Sequence, residues 1–574
     1  MDGTLNDSVI QDYLDIKSNL TAVGSPFETI EVVANARTVR VYTKAASNLP
    51  PIFAEIENRF ADRDLVLEGD SRLTYGEVFS RAKWLAGALR DKYGVRPGDT
   101  VGLSMANRAE WIIAFAAIIW VGGIAVLFNS RSSSDELANA LSTVPCSTLI
   151  ADGKRAALFG GLDDNIRIIA VDDGDPIDLD ARTTWIEELF RFPAADPEVT
   201  GPDSVAAVLF SSGTTGRPKG IALTHRNFAN MVMNFQFIGT CGLMLAAQRM
   251  GVTPGVLSNR MPTTSALLVF PLFHISGISS VLSTALSGGV LTVLRRWRGD
   301  KALELIKSNG VTSLSGPPLV VADLLKQPDA AERLSTINNV AVGGQATPLN
   351  LISQISRAMP TASQSVGWGM TEVCGAASAA AGSLFAARPG SAGILSPLVD
   401  LRVVDDTGHD LPPGATGEFW LRSGLVMDGY WNAPEATTAA FEGEWYKTGD
   451  IGFVDADGFV FLVDRKKDMV ICAGENIYCA EVERVLSADE AFEEVALFGV
   501  PDDRLGERAI AAVTLRKGYQ RTEEQVKALA QAALADCKVP SAVAFDLGPF
   551  PRNSTGKVIK ARLRATYLEH QGTA

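Results

Sequence analysis

An α/β fold is predicted for this chain: a large N-terminal domain of packed α/β sheets carrying a β-rich subdomain, then a small α+β domain at the C-terminus. Short apolar runs at Val101–Met105, Thr148–Ala151, Ile166–Val171, Val205–Phe210, Gly289–Leu294 and Asn339–Val342 alternate with helix-like stretches, which is the pattern of parallel sheets covered by helices. From Leu401 to Asp464 the texture shifts to short strands and turns rich in Gly and Asp (LRVVDD, GEFWLRS, WYKTGD, GFVFLVD). Beyond Asp464, AEVERVLSADEAFEEVALFGV reads as helix then strand, so a boundary at Asp464–Arg465 divides the chain into 1–464 and 465–574. With 574 residues, one compact core is too small and at least two domains are required.

Composition narrows the function classes. A formal charge of −14 argues against non-specific binding to nucleic acid or to an anionic membrane, so anionic ligands need local Lys and Arg. Six cysteines (Cys146, Cys241, Cys374, Cys472, Cys479, Cys537) lack C-x-x-C spacing and only four histidines occur, which points to neither a zinc site nor a disulfide framework and fits a reducing cytoplasm. The first residues carry acids rather than the basic-then-apolar pattern of a secretory signal. Ile112–Phe128 is uncharged but interrupted by Gly122-Gly123; a buried helix, a glycine turn and a buried strand account for it better than a membrane span.

The segment VAAVLFSSGTTGRPKG (205–220) is an apolar strand followed by small hydroxyl residues and glycines closing on Lys219. Glycines let the backbone approach oxyanions, and hydroxyls, N–H groups and an ammonium donate to them. It is not a Walker A loop, because Lys219 is followed by Gly220 rather than Ser or Thr. Standing alone, such a loop also reads as a solvated turn.

Downstream segments add chemistry in order. FPLFHISG (270–277) sets His274 among apolar residues, where a satisfied core histidine is the plain alternative to a pocket residue. Arg295-Arg296-Trp297-Arg298 reads as a solvated edge. The small residues of GGQAT (343–347) and Val373–Ala381 point to an apolar cavity. In VGWGMTE (366–372), Trp368 offers a face for a purine, Gly369 admits a ligand to the backbone, and Glu372 beside Thr371 offers oxygen donors to Mg²⁺, although a turn with an ordinary surface acid fits as well. YKTGD (446–450) ends on Asp450, a carboxylate able to accept from both hydroxyls of a ribose, or simply a Gly-Asp turn. VDRKKDMV places Arg465 and a basic run after Asp464, ICAGENIYCAEVE follows, and PRNSTGKVIKARLR carries Lys557.

Taken together, these segments resemble, in order, the motifs of the adenylate-forming superfamily, which includes acyl-CoA synthetases, peptide-synthetase adenylation domains and beetle luciferases; the likeness is greatest to an AMP-forming acyl-CoA synthetase. The resemblance implies ATP, Mg²⁺ and coenzyme A as cofactors and a small-molecule carboxylic acid (fatty, aryl or polycyclic) as substrate. It implies that Ser211, Ser212, Gly213, Thr214, Thr215, Gly216 and Lys219 grip phosphates, with Gly344, Gln345, Trp368, Gly369, Asp450 and Arg465 on the nucleotide. Thr371, Glu372 and Lys557 would form the catalytic set, with Glu372 on the metal and His274 bordering the acyl pocket without an acid–base role. Asp464 would be the hinge of a mobile small domain, and Gly474 the point where pantetheine passes. Departures are Trp368 at a tyrosine position, Ala473 at a glycine and Cys479 at a proline. An amino-acid substrate is disfavoured, because His274 stands where peptide-synthetase domains carry an Asp. An acyl-AMP ligase loading a carrier protein and a non-catalytic binding homologue are the alternatives. No nucleic-acid partner and no integral membrane segment are expected, and a homodimer is allowed for. Residues 238–265 run longer than the family pattern, as a pocket lid or a surface elaboration.

Overall fold

The computed structural model describes residues 3–174, 182–211, 218–343, 349–473, 475–502, 504–545, 547–552 and 557–572. Two large sheets form the N-terminal body. One has eight strands in the order Gly429–Tyr430, Lys219–Thr224, Val205–Ser211, Ile124–Leu127, Thr100–Ser104, Thr148–Asp152, Arg167–Val171, Thr183–Trp185. The other has nine, and its centre is a parallel set: Ser363–Met370, Asn339–Val342, Ser313–Gly316, Ser265–Leu268, Val290–Val293 and Asp64–Glu68. Strands such as Ile124–Leu127 and Thr148–Asp152 are buried at every position, as continuous apolar runs demand when helices cover both faces.

Between Ala109 and Leu127 the expected sequence of buried helix, glycine turn and buried strand forms. The Ala109–Trp120 helix buries every residue but Glu110, Gly122 turns with φ +73°, and Ile124–Leu127 enters the eight-stranded sheet. A left-handed residue at that turn costs glycine nothing and any other residue about 1–2 kcal/mol.

From Asp400 to Arg465 the chain builds a five-stranded antiparallel sheet of Asp400–Val404, Gly417–Arg422, Phe441–Glu442, Trp445–Val454 and Val460–Arg465. Its turns are set by aspartates that bond their own backbone; Asp405 accepts from the Thr407 N–H at 2.8 Å. A smaller C-terminal domain follows. The long hairpin Phe492–Asp502/Gly506–Leu515 carries Val470–Cys472 and Ala542–Ala544 on Gly506–Leu515, with Glu475–Ile477 beyond Val470–Cys472. Helices Cys479–Leu486, Glu523–Gln531 and Lys560–Gly572 pack against it.

Residues 238–265 continue the His225–Arg249 helix and add the short helix Pro254–Arg260, which buries no residue. The far end of the long helix meets the N-terminal helix Gly3–Thr21: Gln248 donates to Asp12 at 2.9 Å, and Lys17 Nζ donates to the Leu395 carbonyl at 2.8 Å. Val9, Ile10, Tyr13, Ile16 and Leu20 form the buried stripe of that N-terminal helix. Among the described residues, His225–Arg249 is the one helix long and apolar enough to cross a membrane, and half of its apolar window is buried inside the domain. Three residues of the Arg295–Arg298 run pair along an edge: Arg295 with Glu68, the Trp297 indole with Asp323, and Arg298 with Asp300.

Candidate active site

Both large sheets deliver their loops to one place. In the nine-stranded sheet, His274 follows strand Ser265–Leu268, Gly343 follows Asn339–Val342, and Thr371–Glu372 follow Ser363–Met370; all three parallel strands present their carboxyl ends together, where α/β sheets bind ligands. In the eight-stranded sheet, Ser211 and Lys219 are register partners at the turn end of a hairpin. The Met427 N–H donates to the Glu372 carbonyl at 2.8 Å and stitches the two sheets together beside the site. Ser212, Gly213, Thr214, Thr215 and Gly216, together with Gly344, Gln345 and Gly474, lie outside the described residues.

A β-bulge at Trp368/Gly369 re-aims the strand just before Thr371. Gly369 lies so close to the Gly375 carbonyl that a Cβ would sit 1.8 Å from it, so only glycine fits. The bulge turns Trp368 inward. Its ring is 4% exposed and packs edge-on to Phe419, with centroids 5.3 Å apart. The open stacking face expected from the sequence is thus absent here; the indole N–H instead donates to Asp450 Oδ2 at 2.7 Å.

Asp450 receives a second partner on its other oxygen, the Arg465 guanidinium Nε at 2.8 Å, and the two residues face each other as register partners on adjoining strands. Each carboxylate oxygen has two lone pairs and each has one protein donor, so one acceptor site per oxygen is left, which matches a vicinal diol.

Glu372 stands in a short 3₁₀ turn after Thr371. Burial pushes its carboxyl above the usual range; Arg465 and Lys219 pull it back, and Asp450 adds to the rise. Carboxylate and hydroxyl are hard oxygen donors, so Thr371 and Glu372 fit Mg²⁺. Lys219 opens its strand with its ammonium 4.9 Å from the centroid of the Tyr430 ring.

Lys557 reaches this group from the small domain. Burial lowers its pKa, the nearby Arg465 and Lys467 cations lower it further, and Asp468 and Asp450 oppose. Three residues on, Lys560 starts the final helix and forms a 2.7 Å ion pair with Glu483, whose Oε1 also accepts the Leu497 N–H at 2.7 Å. Asp464 accepts the N–H of Arg465 at 2.7 Å and that of Ala480, in the first turn of the Cys479–Leu486 helix, at 3.3 Å. Burial raises the Asp464 carboxyl and Lys560 opposes that rise. Cys479 donates its thiol to the Asp468 carbonyl at 2.9 Å, and Ala473 holds a left-handed φ of +52°.

His274 begins the Ile275–Leu286 helix with its ring 4.4 Å from Phe273, and burial together with Arg131 drops its pKa to about 4, so it is neutral at pH 7. The helix that follows turns Ser279 toward Met231 (3.6 Å), and the buried Cys374 reaches the same sulfur at 4.0 Å. Sequence reasoning missed Tyr430, Tyr446, Glu483 and Lys560. Tyr446, Glu483 and Lys560 lie inside recognised motifs, but nothing in their spacing shows what they touch.

Comparison with known proteins agrees with this geometry. A family model described as "AMP-binding enzyme" matches residues 53–431, and one described as "AMP-binding enzyme C-terminal domain" matches residues 481–557. A 2-succinylbenzoate–CoA ligase of Geobacillus sp. (strain WCH70) is 32% identical over 514 residues, 88% of this chain and 94% of that protein. The long-chain-fatty-acid–CoA ligase FadD13 of Mycobacterium tuberculosis (strain ATCC 25618 / H37Rv) is 31% identical over 501 residues, 87% and 94% of the two chains. A solved structure of o-succinylbenzoate coenzyme A synthetase from Bacillus subtilis in complex with ATP and magnesium ion superposes with a TM-score of 0.72 at 26% identity, covering 89% of this chain and 98% of that one.

Proposed function

The chain belongs to the AMP-binding enzyme family, and we propose that within it the protein is an AMP-forming acid–thiol ligase that activates a fatty, aryl or polycyclic acid with MgATP and transfers the acyl group to coenzyme A. The observation that carries this is the convergence of Lys219, Glu372, Asp450, Arg465 and Lys557, far apart in sequence, on one site: Arg465 pairs with Asp450 at 2.8 Å, Glu372 lies within the field of Arg465, Asp450 and Lys219, and Lys557 lies within that of Arg465 and Asp450. The substrate acids named for relatives span aryl and long-chain classes, which supports an apolar acid here.

In the first half-reaction the substrate carboxylate attacks the α-phosphorus of ATP and pyrophosphate leaves. Asp450 holds the ribose hydroxyls through its two remaining acceptor sites, oriented by Trp368 and Arg465. Lys219 and the loop before it take the β and γ phosphates. Lys557 places an ammonium where charge develops on the α-phosphoryl oxygens, a stabilisation worth about 3–4 kcal/mol for one well-aimed donor. Mg²⁺ bound by Glu372 and Thr371 would neutralise phosphate charge. In the second half-reaction the small domain, 465–574, turns about Asp464, withdraws Lys557 and presents the Ala473–Gly474 side to the incoming thiol. All six cysteines are free thiols and four are buried, which supports a cytoplasmic setting.

Pyrophosphate release across acids graded by chain length and ring type, with coenzyme A and a holo-carrier protein as rival acceptors, tests this reading. Release with one acid class and thioester formed on coenzyme A is the expected result. Thioester formed on the carrier alone, or no release with any acid, overturns it.

A further inference from the structure

Tyr430 belongs to none of the motifs that carry the nucleotide chemistry, yet it meets three of their residues. It lies on the two-residue strand Gly429–Tyr430 at the edge of the eight-stranded sheet, in register with Ile221. Hydrogen bonds pin its strand from both sides: Trp431 N–H donates to the Gly220 carbonyl at 2.7 Å, and Tyr430 N–H donates to the Thr437 side-chain Oγ1 at 2.9 Å. Because that strand pairs with the one Lys219 opens, the ring is fixed relative to the lysine backbone, and the ammonium sits 4.9 Å from its centroid. The far edge of the ring carries the hydroxyl, which pairs with that of the buried Tyr446 and feels the Glu372 carboxylate; burial first, then Glu372, pushes the phenol up to about 12. Tyr446 is itself braced by Phe441, ring to ring at 5.5 Å.

We propose that Tyr430 is a positioning residue for Lys219: its ring face holds the ammonium at the rim of the site, on the side of Glu372, with the remaining N–H groups turned outward to receive the polyphosphate. A lysine on a flexible four-carbon stem loses rotamer freedom when it is fixed on a phosphate. An aromatic platform recovers part of that in advance, since a partly desolvated ammonium is attracted to the face of a ring. The platform works without moving, because a ring occupies one side of an ammonium and leaves its other donors free. The proposal rests on the nucleotide-binding part of the function given above and is indifferent to which acid is used.

MgATP affinity by calorimetry in the absence of any acid, with pyrophosphate-release kinetics alongside, tests it in the full-length protein. Tyr430→Leu is expected to weaken MgATP binding about 3- to 10-fold, within the range set by that contact, with kcat changed by no more than about twofold. Tyr430→Phe, which keeps the face and loses the hydroxyl, is expected to bind like the parent. In a Lys219→Met background the Leu substitution should add nothing further to the loss of MgATP affinity. The proposal is overturned if the Leu effect persists undiminished in the Lys219→Met background, if Phe is as damaging as Leu, or if Leu tightens MgATP, which would make the ring a competitor for the ammonium. Should Tyr430→Leu not fold, Tyr430→Met takes its place in the same cycle. A parent protein that binds MgATP but turns over no acid leaves the calorimetric cycle decisive for Tyr430 while refuting the ligase reading.

Discussion

Asp450 and Asp464 lie on adjoining strands of one antiparallel pair, and their carboxylates are held from opposite directions. Asp450 is gripped by side chains, the Trp368 indole and the Arg465 guanidinium, and it points into the site. Asp464 is gripped by backbone, the amides of Arg465 and Ala480, and faces Lys560. The indole that orients Asp450 belongs to the large body, whereas Ala480 and Lys560 belong to the small domain. In the rotation about Asp464 proposed above, the Trp368–Asp450 contact would stay within the large body while the contacts of Asp464 with Ala480 and Lys560 would be remade.

The comparison breaks most visibly at Lys557. Lys557→Ala is expected to slow acyl-AMP formation about 10²- to 10³-fold, the usual cost of losing one transition-state donor, and to leave thioester formation from supplied acyl-AMP within a few-fold of the parent. Pyrophosphate release and thioester yield, measured separately, read the split; equal losses would erase the distinction between the two neighbourhoods.

Acid separates the neighbourhoods through stability. His225 accepts the Leu49 N–H on Nδ1 in the large body, and burial drops its pKa to about 4. The unfolded imidazole takes a proton near pH 6.5, before the folded one does, so stability is full above that pH and falls as pH drops toward 4, by up to about 3 kcal/mol. The Asp464 carboxyl is raised instead, so its ionised form is disfavoured by folding and acidification relieves it. Guanidinium unfolding between pH 7 and pH 4 should show a slope that His225→Gln flattens and Asp464→Asn steepens.

Two substitutions sharpen the contrast further. Asp450→Asn keeps an acceptor for Trp368 but loses the charge on Arg465 and half of the diol's partners; KM for ATP is expected to rise about 10- to 100-fold, as when one or two hydrogen bonds to a charged group are lost. Lys560→Met should act differently, shifting the ratio of the two half-reaction rates by a few-fold while MgATP affinity holds, because Lys560 pairs with Glu483 and faces Asp464, the proposed hinge; Lys560→Arg should restore the ratio. The smallest effect belongs to Ala473, whose left-handed φ is costly for any residue with a Cβ. Ala473→Gly should stabilise the protein by about 0.5 kcal/mol net, the strain relieved less the extra freedom glycine has unfolded, read as a small rise in Tm.

Much of the fold was legible because burial writes itself into sequence. The run Ile112–Phe128 could be parsed into helix, turn and strand since its apolar residues are continuous and its two glycines adjoin, and Asn339–Val342 forms a strand with the bounds its apolar run has. The motif residues could be named because chemistry restricts residue type. Pairings across the chain were not legible. Trp368 looked like an exposed platform because nothing local reveals a bulge that turns it toward Phe419 and Asp450. Lys560 is one of several cations in PRNSTGKVIKARLR, and only the fold sets Glu483 against it. Tyr430 carried no pattern at all, since its value lies in a strand register with Ile221 that no one-dimensional reading contains.

The N-terminal helix has a consequence for how the protein is made. Lys17 is bonded to the carbonyl of Leu395, 378 residues later, and its buried stripe also needs the far end of the His225–Arg249 helix. At about 5–20 residues per second, the ribosome delivers that second surface tens of seconds after the helix has emerged. For that interval Val9, Ile10, Tyr13, Ile16 and Leu20 form an unclaimed apolar stripe, a natural grip for a chaperone. The helix is thus made well before the surfaces on which it docks.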